Sequence, residues 1–410
     1  MFIKNIGRLV TMVQSKGREG LLGVIKNAFI EIKEGKIKRF GENFLIPPNP
    51  PLEKGGEGGF LDARGCVVIP GLIDCHTHLV HAGDRSDEFA LRARGASYED
   101  IAKAGGGIMS TVKATRAAGE DELLKLAAER AKEALSYGLT TIEVKSGYGL
   151  DLETEIKILR VVKKLGPLTK QDFIPTFLGA HAIPKDKERR KYIQEIIEEM
   201  LPAVAKEKLA VFCDVFVENI AFSAREAEQI LKAAKGHGMG LKIHDDQLSS
   251  NGGAALAAKL NAVSADHLEN VTGEDIAAMA KKKVTAVLIP SSTFFVGGRY
   301  ADARGMIKSG INVAISTDYN PGTSPILNIW LAANMAVTQL HMTMEEVYKG
   351  ITVNAARAIS IDATHGTVET GKHADLVLLN CKSESEPVYR PDKSFVDKVI
   401  KNGEVIYEKS

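Results

Sequence analysis

The sequence predicts a (β/α)8 barrel, TIM-like, carrying a small composite β-sandwich built from both chain ends. Three observations predict it. Helix-like and strand-like segments alternate through roughly 300 residues of the middle of the chain. Several of those strands end in a lone histidine or aspartate. Both chain ends are rich in short β segments separated by turns.

The elements follow in order. Residues 1 to 66 alternate β-rich pieces such as "FIEIKEGKIKRFGE" with turns. The segment "IPPNPPLEKGGEGGF", Ile46 to Phe60, is rich in proline and glycine and reads as a surface loop. In the middle, "ELLKLAAERAKEALSYG" is a helix stopped by Gly138, and "LTTIEVKSGYG" is a β-branched strand. The alternation returns as "EAEQILKAAKGHGMG" then "LKIHDDQ", "GGAALAAKLN" then "AVSADHLE", "GEDIAAMAKKK" then "VTAVLIPSST", and "ADARGMIKSG" then "INVAISTDYN". No G-x-G-x-x-G opens a first helix, which favours a closed barrel over a dinucleotide-binding sheet. After residue 361 the β character returns, with "KNG" as a turn between short strands. The expected units are therefore a barrel over 67–361 and a sandwich from 1–66 plus 362–410.

Composition excludes several function classes. Across 410 residues, 53 Lys and Arg nearly balance 52 Asp and Glu, so the net charge of +1 gives no basis for binding nucleic acid or an anionic membrane. An apolar content of 44% suits a globular core. The 4 cysteines lie far apart without C-x-x-C spacing, which indicates neither a disulfide framework nor a thiolate zinc site. The start lacks the apolar core of a signal peptide, and no run approaches the roughly 18 apolar residues of a membrane span. A cytoplasmic protein is expected.

The chemistry sits at strand ends. In "VVIPGLIDCHTH", His76 and His78 share one face of an extended chain and close an apolar strand. "FIPTFLGAH" ends in His181, "GLKIH" in His244, "AVSADH" in His267 and "NVAISTD" in Asp318. In barrel enzymes that end of the strands is the catalytic mouth. Five of the 10 histidines gather there. The other five, His81, His237, His341, His365 and His373, read as structural. Three neutral imidazoles and a carboxylate, His76, His78, His244 and Asp318, suit one zinc or iron ion per subunit with a position left for water. Lys145 falls on the second strand by count, whereas a lysine bridging two metals belongs on the fourth. It reads as structural or as a support for the ligands, and the site as mononuclear.

Taken together, "PGLIDCHTH", the strand ends with His244, His267 and Asp318, and "TVNAARAI…GTVETGKHADLVLL" resemble the amidohydrolase superfamily. More narrowly, "HAGDRSDEF", "VKSGYGLD", "TFLGAHAIP", "KIHDDQLS", "SADHLE" and "STDYNPGTSP" resemble the imidazolonepropionases, which act in histidine breakdown. The likeness runs almost end to end. It implies hydrolysis of 4-imidazolone-5-propanoate to N-formimidoyl-L-glutamate, with His76, His78, His244 and Asp318 on the metal. It also implies substrate or product contacts from Arg85, Tyr98, Tyr148, His181, Gln247, Asn320, Gly322 and Thr323, and a homodimer as the assembly.

These residues suit that chemistry. A propanoate needs a fixed cation, and the Arg85 guanidinium can grip it bidentately. "NPGTSPILN" reads as a glycine turn opening a helix capped by Ser or Thr, with free N–H groups for the carboxylate made on ring opening. Asp318 is the expected proton shuttle, and His267 its partner in orienting water or stabilising the oxyanion. The nearest rival is a barrel deaminase of cytosine or guanine type. Several of those carry H-x-x-E after the fifth strand, where this chain has His244-Asp245-Asp246-Gln247, and an amide cannot transfer that proton. A non-catalytic metal-binding barrel would lack the shuttle, yet His267 and Asp318 are both present.

Overall fold

The computed structural model describes residues 1–15, 17–42, 59–95 and 106–409. The chain opens in a mixed sheet. β1 (Phe2–Val10) pairs antiparallel with β2 (Val24–Lys33), and β2 with β3 (Lys36–Glu42). β4 (Phe60–Asp62) and β5 (Val67–Pro70) both run parallel to β1.

Eight parallel strands follow, paired in chain order: β6 (Leu72–Asp74), β7 (Leu139–Lys145), β8 (Asp172–Ala180), β9 (Phe212–Val217), β10 (Gly240–Asp245), β11 (Ser264–His267), β12 (Thr285–Leu288) and β13 (Val313–Ile315). Each of β7 and β9 is buried along its whole length, as parallel strands walled by helices on one side and by the barrel interior on the other must be. Hydroxyl caps start two of the outer helices: Ser223 closes a capping box with Glu226 ahead of Ala224–Gly236, and Thr272 caps Gly273–Lys282.

The seam between β13 and β6 closes at the mouth. Asp318 N donates to His76 O at 3.0 Å, and His78 N donates to Tyr319 O at 2.9 Å. The Ser316 and Thr317 hydroxyls both donate to the Asp74 carboxylate. At the other end, the helix Val353–Ala358 packs Ala355, Ala356 and Ala358 against Ile73, Phe212, Val287 and Ala314.

The last strands, β14 (Leu376–Leu379), β15 (Val396–Lys401) and β16 (Glu404–Glu408), return to the first sheet and complete the order β16-β15-β14-β5-β1-β2-β3, with β4 beside β1. The composite β-sandwich expected from both chain ends is built as one eight-stranded mixed sheet with its own core of Ile3, Ile6, Leu9, Ile30, Val68, Leu376 and Leu378 among others. Val67–Pro70, read from sequence as the barrel's opening, belongs to this sheet through β1 and β14. The run changes sheets at Gly71, a switch the sequence does not mark because an apolar strand buried on both faces looks the same in either sheet.

A charged tie joins the two units. Lys401 donates to Asp172, the first residue of β8, at 2.5 Å and to Asp375 at 2.6 Å. His365 Nε2 lies 3.3 and 3.4 Å from the same two carboxylates and its ring stacks on His373. The Lys401 ammonium supplies the cation for this group. Among the described residues, no helix is long and apolar enough to cross a membrane, and the four cysteines are free.

Candidate active site

Four candidate donors gather at the barrel mouth. His76 and His78 follow β6, His244 lies on β10, and Asp318 follows β13. Ligand atoms of His76, His78 and His244 lie within 4.8 Å of one another, as do those of His76, His267 and Asp318. Asp318 Oδ1 stands 3.5 Å from Nε2 of both His76 and His78. All four side chains are buried.

Carboxylates behind the imidazoles orient them. His76 Nδ1 hydrogen-bonds Asp266 Oδ2 at 2.7 Å, and His244 Nδ1 lies 2.8 Å from Asp214 Oδ2. The Lys145 ammonium donates to Asp214 at 2.7 Å and to Glu143 at 2.8 Å, and stands 3.6 Å from Asp266. Burial alone would push Lys145 down, but these carboxylates outweigh it and hold the amine charged. Lys145 is a fully buried counter-cation in this network, on the second barrel strand. Sequence reasoning did not find Asp214 or Asp266. The available signal was the rule that a metal-bound imidazole donates its other N–H to a carboxylate, applied to the strands beside each histidine.

The chemistry of the donors fits a cation. Burial, reinforced by the nearby Lys145 ammonium and other imidazoles, holds His76 and His78 well below 6.5, so both are neutral as metal ligands require. Nε2 of His76 and of His244 are buried without a hydrogen-bond partner among the described residues. Burial pushes Asp318 well above its usual range, which a cation at this point would reverse. The N/O donor set fits zinc or iron.

His267 sits beside these donors, with Nε2 4.0 Å from Asp318 Oδ2 and Nδ1 4.0 Å from Glu269 Oε1. Burial drives Glu269 up to about 8 against the hydrogen bond from Thr293 Oγ1 at 2.7 Å. His267 and Asp318 both hold left-handed backbone, φ 82° and 50°, a conformation that costs free energy in side-chain-bearing residues.

The implied substrate residues divide. His181 stacks on His78 at 5.0 Å, and Tyr148 lies 5.6 Å from His78 and 5.5 Å from His181 by ring centroid. His181 Nδ1 pairs with Gly147 O at 3.0 Å, leaving Nε2 for the site. The loop carrying Tyr148 is folded by Glu155, which accepts from Gly147 N, Gly149 N and Leu150 N at 2.8–2.9 Å. Gln247 is half-buried three residues past His244. Arg85 lies against the loop after β13, where a Cβ added at Gly322 would stand 2.0 Å from its Nη1. Tyr98, and all but the last two residues of the stretch 46–60, lie outside the described residues.

That loop differs from the sequence expectation in two ways. The helix opens only at Ile329, capped by Asn328 rather than by Ser or Thr. The N–H groups of Gly322 and Thr323 are not free: both donate to Asn320 Oδ1 at 2.8 Å. Asn320 Nδ2 meanwhile donates to Asp318 O at 2.7 Å and to Thr323 Oγ1 at 2.9 Å. The segment is a tight loop knotted by Asn320, and its Pro-Gly-Thr chemistry serves that turn equally well. His81, read as structural, is buried near the mouth with its ring 5.9 Å from Tyr148 and 6.1 Å from Tyr319. Arg130 pins its segment by donating to the carbonyls of Leu79 and His81, each at 2.8 Å.

Residues 67–406 match the amidohydrolase family model. The chain is 44% identical over 407 residues to the imidazolonepropionase of Caldanaerobacter subterraneus subsp. tengcongensis, covering 98% of this chain and 96% of that protein. It is 44% identical to the imidazolonepropionase of Myxococcus xanthus, covering 99% and 96%. Among solved structures, a mutant atrazine chlorohydrolase from Arthrobacter aurescens, complexed with zinc and atraton, superposes with a TM-score of 0.72 at 16% identity over 99% of this chain and 95% of that one. E. coli guanine deaminase gives 0.71 at 15% identity over 100% and 99%. These two show the shared fold. The full-length identity shows more: this chain belongs to the imidazolonepropionases of the amidohydrolase family.

Proposed function

We propose that this chain hydrolyses the cyclic amide of 4-imidazolone-5-propanoate to N-formimidoyl-L-glutamate. The observation that carries the reading is the convergence of His76, His78, His244 and Asp318 at the barrel mouth, in a chain 44% identical to imidazolonepropionases. His76, His78, His244 and Asp318 would hold one zinc or iron ion. When bound, such an ion acidifies water and polarises the ring carbonyl.

The chain's own groups do the rest. Asp318 takes the proton of the attacking water and returns it to the departing ring nitrogen as the carbonyl–nitrogen bond breaks. His267, on the far oxygen of Asp318, orients the water and shares the proton transfer. Arg85 grips the propanoate, and Tyr148 and His181, from the loops after the second and third barrel strands, face the ring. Asn320, Gly322 and Thr323 contribute through the shape of their loop, which seats the Arg85 guanidinium. Gln247 supports hydrolysis over deamination, because its amide cannot transfer a proton to a ring nitrogen. The same reading implies a cytoplasmic homodimer with one ion in each subunit.

The test is incubation of purified, metal-loaded protein with freshly generated imidazolonepropanoate, following loss of its ultraviolet absorbance. Rapid loss with appearance of formimidoylglutamate supports the reading. Ammonia release from guanine or cytosine, with the imidazolone left intact, overturns it.

A further inference from the structure

Arg85 is held by a second residue. Its Nε donates to Glu88 Oε2 at 2.8 Å, one turn along the helix Ser86–Ala93, and both side chains are nearly nine-tenths buried. The other oxygen of Glu88 accepts from Gly107 N at 2.8 Å and from Ser110 Oγ at 3.1 Å, at the start of the helix Ile108–Ala117. Glu88 is thereby fixed from two helices at once. A carboxylate whose Oε1 is held by two donors at the start of another helix cannot swing to follow a mobile arginine, so the arginine is made to follow it.

The consequence lies in which edge of Arg85 is spent. The bond to Glu88 occupies Nε, and the Nη1 side lies over Gly322. Gly322 O in turn accepts from Arg92 Nη2 at 3.2 Å, one turn further along the same helix. The helix Ser86–Ala93 therefore presents the guanidinium and braces the loop beneath it. Among the described residues, no carboxylate other than Glu88 pairs with Arg85.

We propose that Glu88 is a positioning residue for substrate-carboxylate recognition: it anchors Nε of Arg85 so that the two terminal nitrogens meet the propanoate in one fixed orientation. This rests on the hydrolysis of imidazolonepropanoate proposed above. Glu88 touches no reacting atom, so it acts on binding and leaves the chemical step alone.

The experiment is a double-mutant cycle on the metal-loaded protein with Glu88→Gln, Arg85→Ala and the pair. Each variant is assayed with imidazolonepropanoate and with a ring analogue carrying propyl in place of propanoate. The expected result for Glu88→Gln is a KM raised roughly tenfold, the size of one lost charge-assisted hydrogen bond, with kcat within about twofold. Glu88→Gln should have no effect on the propyl analogue and none in the Arg85→Ala background. An equal penalty on both substrates, or a penalty that persists without Arg85, overturns the inference in favour of a merely structural role. An unchanged KM overturns it too. Those outcomes leave the hydrolase reading intact, whereas a wild type inert towards imidazolonepropanoate removes that reading and this inference together. If Glu88→Gln does not fold, Ser110→Ala removes one of the two groups tying Oε1 in place. It should raise KM about two- to threefold, again only while Arg85 is present, and no rise contradicts the proposal.

Discussion

His76 Nδ1 meets Asp266 Oδ2 at 2.7 Å, with both side chains fully buried, 190 positions apart in the chain. That bond fixes which nitrogen of His76 faces the site. Replacing the carboxylate by an amide, Asp266→Asn, should weaken metal affinity by about 10- to 100-fold, the usual cost of losing a partner behind a metal-bound imidazole. Competition against a chelator of known affinity measures it. An affinity equal to wild type would mean that His76 needs no such support.

Lys145 balances Glu143, Asp214 and Asp266 inside the barrel. Lys145→Met should destabilise the fold by about 3–5 kcal/mol, because it strands buried carboxylates without their cation. Thermal unfolding of the purified variant reads this directly. A melting temperature within a degree or two of wild type would contradict the buried-cation account.

Gly322 touches Arg85 so closely that a Cβ would stand 2.0 Å from Nη1 and 2.7 Å from Cζ. The obstacle is the end of a flexible side chain, so Gly322→Ala should fold normally while displacing the guanidinium. KM is expected to rise by at least about tenfold with metal content unchanged, as one bidentate charged contact is lost. An unaltered KM would detach this loop from carboxylate recognition.

His267 adjoins Asp318 without completing the group of three imidazoles. His267→Asn should therefore retain metal yet lower kcat by about 100-fold or more, the range of a lost proton-transfer partner. A near-normal rate with metal retained would assign proton transfer to Asp318 alone.

The tie between barrel and end sheet gives a pH dependence. Burial raises the Asp172 carboxyl, but the hydrogen bond from His365 and the Lys401 ammonium outweigh it and hold it at about 2. A depressed folded-state pKa contributes stability above the unfolded value, about 3.9, and loses it as pH falls towards the folded one. Wild type should accordingly lose more stability than Asp172→Asn on acidification through that window, read as urea midpoints at several pH values. Parallel acid profiles would remove the tie from the stability of the fold.

The barrel was legible because its signal is local. Val313–Ile315 is an apolar strand three residues short of Asp318, Gly240–Asp245 carries His244 near its end, and each follows a helix. His76, His244 and Asp318 could be found one strand at a time. Asp214 and Asp266 could not, because each lies inside a strand and gains its meaning from a neighbour: Asp266 is in register with His244 and bonded to His76. Glu88 was hidden in the same way, since an acidic residue in the first turn of a helix is ordinary and only the fold brings Gly107 and Ser110 to it. The loop at Asn320 was misread because proline, glycine and threonine serve a tight turn and a helix start alike.

Metal content after loading tests most directly whether donors from both ends of the barrel circuit hold one ion. Wild type should carry one zinc or iron per chain, while folded His76→Ala and His244→Ala variants should each retain less than about a tenth of it, as expected when one of four ligands is lost. Full occupancy in either folded variant would show that the ion sits elsewhere and that the mouth of this barrel is not its metal centre.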